Sequence, residues 1–199
     1  MDDGIPRTAR ARGRIAPAKM AHVVLRTNRY DEMIAWWKTV LELEPMHANP
    51  FITFLTFDDE HHRIAIARGG PDLAEKVTNS VGVDHFAFAY AGVGDLLGTY
   101  ERLAAQGIRP STSIHHGVTL SFYYLDPDRN EVELQVDAFQ TTAEINTFIA
   151  GGAFTRNPIG VLFDGDALVK RWREGASDAE LLRPLEGGPP DLRTTFAEH

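Results

Sequence analysis

Two histidines, His22 in "AHVVL" and His85 in "DHFAF", open equivalent strand-like segments 63 positions apart (85 − 22) in a chain of 199 residues. A lone histidine in a strand is more often structural than a ligand, but two at matching places in a repeat favour a shared site. The carboxylate that completes it is Glu133 in "EVELQV". Strand alternation puts Glu131, Glu133 and Gln135 on one face and Val132, Leu134 and Val136 on the other. Glu131 reads as part of a solvated face. Glu133 has a counterpart in the first half at residue 65 (133 − 68), and that residue is Ala65, flanked by Ile64 and Ile66 as Glu133 is by Val132 and Leu134. The repeat therefore offers His22, His85 and Glu133, with a methyl group in the fourth place. Two imidazoles and one carboxylate leave up to three coordination positions open, which suits a non-haem Fe(II) centre that activates dioxygen. One formal negative charge from the protein leaves room for an anionic bidentate substrate. With no cysteine in the chain, nitrogen and oxygen must supply every ligand.

The elements that must position these groups recur in the same order. In the first half, "AHVVLRT" (21–27) reads as a strand and "YDEMIAWWKTVLEL" (30–43) as a helix. Ile34, Trp37, Val40 and Leu41 are at helical spacing there, and Asp31 is a cap candidate. "FITFLTF" (51–57) and "HRIAIA" (62–67) read as strands joined by the polar turn "DDEHH". In the second half, "VGVDHFAFAYA" (81–91) is a strand, with Phe86, Phe88 and Tyr90 on the face opposite His85. "VGDLLGTYERLAAQG" (93–107) is a helix closed by Gly107, and "VTLSFYYL" (118–125) and "EVELQV" (131–136) are strands joined by "DPDRN". Matching Asp58 with Asp126 lays "FLTFDDEHHRIAI" over "FYYLDPDRNEVEL" at an offset of 68 (126 − 58). Three segments follow: a basic arm (1–19), a repeat domain (20–137, with modules of about 20–70 and 80–137) and an extension (138–199). Two helical pieces in the extension, separated by "TRNPIG", either cover the core or mediate assembly, and its last residues read as loose.

A net charge of −8 argues against a nucleic-acid partner, because counterion release needs a clustered basic surface. The arm "MDDGIPRTARARGRIAPAK" has no apolar run of a secretory signal, and no later window reaches 18 apolar residues. The expectation is a soluble, cytoplasmic homo-oligomer, dimer or higher, with a small-molecule partner and no membrane partner. The adjacent pair in "DEHHRIAIARGG" (59–70) is open on the residues alone: metal ligand, proton-transfer group or polar turn.

The repeat, the ligand set and "DPDRNEVEL" together resemble the vicinal oxygen chelate superfamily, and within it the one-domain type I extradiol catechol dioxygenases. The likeness covers about 20–138. "IHHGVTLSFYYLDPDRNEVE" fits the signature of that family: Ile114 and His116, five residues, Phe122-Tyr123, two residues, Asp126-Pro127, then Glu133. Arg129 departs from it, standing where glycine is usual, so the turn conformation there is expected to differ.

The resemblance implies an α+β fold, with paired βαβββ modules forming a cupped, partly open β-barrel around a metal. It implies Fe(II), with Mn(II) as the alternative ion, held by His22, His85 and Glu133, and a catechol and O2 as substrates. "HHRIA" matches a family sequence whose second histidine handles protons beside the metal, which makes His62 the proton-transfer group and His61 a turn residue facing elsewhere. His116 and Tyr123 become hydrogen-bond donors to the substrate oxygens, and the signature spacing selects His116 over His115. The rivals are a Mn-dependent thiol transferase of the fosfomycin-resistance type and a metal-free aromatic-ligand binder of the bleomycin-resistance type. Glyoxalases and epimerases expect a fourth ligand where Ala65 stands.

Overall fold

The computed structural model describes residues 9–77 and 80–190. The first module runs β1 (Val23–Thr27), α1 (Tyr30–Leu41), β2 (Glu44–Ala48), β3 (Ile52–Thr56) and β4 (Ile64–Arg68), and its sheet has the order β1-β4-β3-β2. The second repeats the plan with β5 (His85–Ala89), α2 (Val93–Ala105), β6 (Thr112–His115), β7 (Thr119–Leu125) and β8 (Glu131–Asp137), ordered β5-β8-β7-β6. In each, the first and last strands pair in parallel and the others antiparallel. The result is the expected α+β pairing of βαβββ modules, as two mixed sheets that do not close into a barrel. β1 and β5 are the outer strands on whose flanks the modules meet, at a shared cleft.

Strand register tests the repeat directly. Val24 pairs with Ala65 and Ala87 with Glu133, which reproduces both offsets, 63 (87 − 24) and 68 (133 − 65). The preceding strand departs from them. Phe54 lies opposite Ala65 and Tyr123 opposite Glu133, so β3 maps onto β7 at 69 (123 − 54), not 68. The turn carrying His61 and His62 is therefore one residue longer than "DPDRN", and Phe54 is the counterpart of Tyr123 rather than of Phe122.

β2 and β6 escape the apolar alternation because β2 is exposed throughout and contains Pro45, while β6 is only four residues long. The segment expected as a strand over 81–91 is shorter, with Val81 and Val83 exposed ahead of β5. Asp31 is not the cap of α1: Arg29 occupies that position, and Asp31 lies in the first turn, where its charge suits the helix dipole. α2 ends as expected, with Gly107 at φ 78° and the Ile108 amide returning to the Leu103 carbonyl at 2.9 Å.

The modules interlock through their helices. Trp37 of α1 is fully buried, packs edge-on against Phe88 of β5 (centroids 6.0 Å apart) and donates to Asp126 Oδ2 at 3.2 Å. Arg102 of α2 donates to the carbonyls of Thr39 and Val40 at 2.7 and 3.2 Å, satisfying the open end of α1. The extension adds α3 (Thr142–Ala150), α4 (Ala153–Arg156), β9 (Val161–Leu162), α5 (Gly165–Arg173) and α6 (Asp178–Leu181). Of the two roles expected for it, the structure shows covering: Leu168, Leu181 and Leu182 enter the core, and β9 joins the edge of β6. Residues 1–8 of the basic arm and 191–199 of the loose end, including His199, lie outside the described residues.

The turn after β7 keeps a left-handed residue despite its side chain. Arg129 has φ 64°, contrary to the expectation of a different turn. Asp126 explains how. Its buried carboxylate accepts from the amides of Asp128 (3.0 Å) and Asn130 (2.8 Å), from Asn130 Nδ2 (2.9 Å) and from Trp37, while its carbonyl accepts from the Arg129 amide at 2.8 Å. These bonds outweigh the roughly 1–2 kcal/mol cost of the left-handed conformation. Asp126→Ala should therefore destabilise the protein by about 3 kcal/mol in urea unfolding, since it orphans the buried Trp37 N–H. Arg129→Gly should be neutral or stabilising by up to about 1 kcal/mol.

Candidate metal centre

Glu133 is the one acidic side chain buried within β8, at 5% exposure. Burial pushes its carboxyl upward, but hydrogen bonds from His85 and Ser121 and the nearby imidazoles more than offset this, so it titrates below the usual range. His85, at the start of β5, brings Nε2 to 3.1 Å from Glu133 Oε2 and Nδ1 to 2.8 Å from Asp84 Oδ2. The bond to Glu133 chiefly, opposed by burial and aided by Asp84, raises its pKa to about 9. Without a metal, the pair is an ion pair at neutral pH.

His116 follows β6 and Tyr123 lies in β7. His116 Nδ1 faces the Ile159 carbonyl, its Nε2 is 2.8 Å from Tyr123 Oη, and it approaches Glu133 Oε1 to 4.0 Å. A carbonyl can only accept, so Nδ1 carries a proton, and in the singly protonated ring Nε2 is the lone-pair nitrogen that faces the tyrosine O–H. Burial and the Glu133 charge push the Tyr123 phenol well upward, so it keeps its proton. His115 points away into the core. It is almost fully buried, accepts from the Gly117 amide at 3.0 Å and donates from Nε2 to the Leu182 carbonyl at 3.1 Å.

The first module forms a second group. His62, just ahead of β4, is buried, stacks on Phe54 (4.4 Å, 12°) and lies 4.2 Å from the exposed ring of His22. Burial, with repulsion from His22 and His61, lowers its pKa. His61 does not face elsewhere: its Nδ1 lies 2.5 Å from Nδ1 of His62, and its Nε2 reaches Glu60 at 3.4 Å.

Of the six expected site residues, His85, Glu133, His116 and Tyr123 are thus linked directly, and His22 and His62 contact each other. One member of each group, His22 and His85, lines a cleft of about 730 Å³ between β1 and β5, along with Phe57, Phe86 and Phe88; His62, Glu133, His116 and Tyr123 are not among its lining residues. The tightest grouping of ligand atoms among the described residues is a different one, Asp84, His85 and Glu131, all within 4.8 Å.

Residues 19–134 match the model of the Glyoxalase/Bleomycin resistance protein/Dioxygenase superfamily. The chain belongs to this superfamily. It is 43% identical over 149 residues to biphenyl-2,3-diol 1,2-dioxygenase 2 of Rhodococcus globerulus, covering 75% of this chain and 78% of that protein. It is 40% identical over 164 residues to biphenyl-2,3-diol 1,2-dioxygenase 3 of the same organism, covering 82% and 86%. Among solved structures, the glyoxylase/bleomycin resistance protein/dioxygenase domain from Frankia sp. EAN1pec shares the fold, at 18% identity and a TM-score of 0.52, over 65% of this chain and 99% of that one.

Within this superfamily fold, Asp84 is a candidate that spacing and repeat arguments missed. A carboxylate on the second nitrogen of a ligating histidine fixes its tautomer and raises its basicity. The available signal was adjacency: the acid precedes His85, whereas Ala21 precedes His22. The His85–Glu133 pair also predicts how stability varies with pH when no metal is bound. The raised His85 pKa gives stability that is full below about 6.5 and is lost as pH rises through about 9. The lowered Glu133 pKa gives stability present above the ordinary glutamate value of 4.5 and lost on acidification below it. Calorimetry on chelator-treated protein should show Tm falling on both sides of this range, and Glu133→Gln should flatten the alkaline fall.

Proposed function

We propose that the protein is an extradiol ring-cleaving dioxygenase that inserts both atoms of O2 into a catechol of the 2,3-dihydroxybiphenyl or alkylcatechol type. The observation that carries this reading is the 40–43% identity to two biphenyl-2,3-diol 1,2-dioxygenases over three quarters or more of the chain.

The donor set suits a divalent ion such as Fe(II) or Mn(II), and the reading takes Fe(II). The chain has no thiolate, His85 already pairs with a buried carboxylate, and His22 lies on the same cleft. His22, His85 and Glu133 would hold the ion. Once bound, Fe(II) supplies a Lewis-acidic, redox-active centre that brings catechol and O2 together. His85 Nε2 would have to give up its proton to serve as a ligand, so metal uptake should release protons.

The remaining steps belong to the side chains. His62, with its depressed pKa, is neutral at pH 7 and has a lone pair to take a catechol hydroxyl proton. Stacking on Phe54 fixes the plane in which it does so. Tyr123 keeps its proton, and its single O–H, held at 2.8 Å from His116 Nε2, can turn from that nitrogen to a substrate oxygen. Among the described residues, no helix is long and apolar enough to cross a membrane.

Anaerobic loading with Fe(II), followed by 2,3-dihydroxybiphenyl and air, should give a yellow ring-opened product. No colour with any of several catechols, with iron bound, overturns the reading. His62→Ala should keep its iron by elemental analysis while losing about 100-fold or more in kcat; loss of the metal instead would make His62 a ligand. His22→Ala should lose the metal.

A further inference from the structure

Among the described residues, the extension meets the candidate site at His116, and a single side chain shapes that contact. Asn157 follows α4, and its side chain makes four hydrogen bonds. Its Oδ1 accepts from the amides of Ile159 (3.2 Å) and Gly160 (2.8 Å), and its Nδ2 donates to the carbonyls of Gly160 (2.8 Å) and Gly187 (3.2 Å). The turn so formed directs the Ile159 carbonyl onto His116 Nδ1.

Beyond the turn the chain zips onto β6. Val161 and Leu162 pair with His115 and Ile114, and the Phe163 amide donates to the Ser113 carbonyl at 3.2 Å. Gly160 (φ 116°) allows the close approach, since a Cβ there would lie 2.4 Å from the His115 carbonyl oxygen and 2.8 Å from His116 Cα.

We propose that residues 157–163 act as a strap that positions His116, with Asn157 as the positioning residue that holds the Ile159 carbonyl on Nδ1. The consequence is tautomer selection. With Nδ1–H committed to Ile159, Nε2 is the only ring atom left to accept from Tyr123, and the phenol is held beside Glu133. A ring free to turn would present an N–H to Tyr123 instead and reverse that bond, the phenol oxygen accepting and its O–H turning to Glu133. This role rests on the catechol-cleavage reading, because it assigns His116 and Tyr123 to the same site.

The test uses the full chain with 15N-labelled histidine and has two readouts. Long-range 15N–1H correlation, with His116 assigned by its loss in His116→Ala, should show the Nδ1–H form in the wild type and a mixture in Asn157→Ala. In the iron-loaded enzyme, Asn157→Ala should lower kcat for 2,3-dihydroxybiphenyl about 10-fold or more, with KM and iron content little changed. Asn157→Asp, which keeps the two acceptor bonds, should recover part of the rate. In a His116→Ala background, Asn157→Ala should cost nothing further. An unchanged tautomer in Asn157→Ala, or an equal loss of kcat in both backgrounds, overturns the proposal. If the tautomer shifts as expected but the wild type opens no catechol, the strap stands and the assigned reaction falls.

Discussion

A buried carboxylate in the middle of a strand is the constraint around which the second module is built. Glu133 has β5 on one side and β7 on the other, with Ala87 and Tyr123 directly opposite. A charge in such a place is tolerated only if it is paired and hydrogen-bonded. His85 supplies the pairing, Ser121 a hydrogen bond, and His116 a second imidazole at 4.0 Å. Burial, with the same charge beside it, holds Tyr123 in its protonated form. Ala65 shows the alternative: the equivalent strand position, also fully buried, is filled by a methyl group between Val24 and Phe54 and requires no polar partner.

The two modules therefore keep one backbone plan and divide the chemistry. One gathers acid, acceptor and donor around Glu133. The other places a neutral, stacked His62 beside His22, on a turn that is one residue longer. What joins them is shared packing: Trp37 reaches across to Asp126 and Phe88, and Arg102 closes the far end of α1. His22 of one half-site and His85 of the other line the cleft between β1 and β5.

The extension completes this arrangement. Its leucines seal the core against β7 and α2, and its backbone carbonyls at Leu182 and Ile159 take the protons of His115 and His116. Two adjacent histidines thereby receive opposite assignments. One is buried and fully satisfied by the main chain, while the other turns its free nitrogen to Tyr123.

By itself the sequence determined what repetition and alternation encode. The duplication, the faces of β5 and β8, and the inequality of Glu133 and Ala65 could all be read from local period and spacing, because neighbours in a strand alternate whatever lies around them, whereas the roles of His116 and Tyr123 came from the family resemblance. Exposed β2 and four-residue β6 gave no such period. Tertiary structure alone decided what depends on distant partners. The extra residue in the His61–His62 turn appears only in the pairing of β3 with β4, and Arg129 keeps a glycine conformation because Asp126 is held by Trp37, 89 residues away. The proton on His116 is directed by a carbonyl 43 residues further along the chain. Periodicity reports which face a side chain occupies, but a hydrogen-bond partner is chosen by packing between segments far apart in sequence.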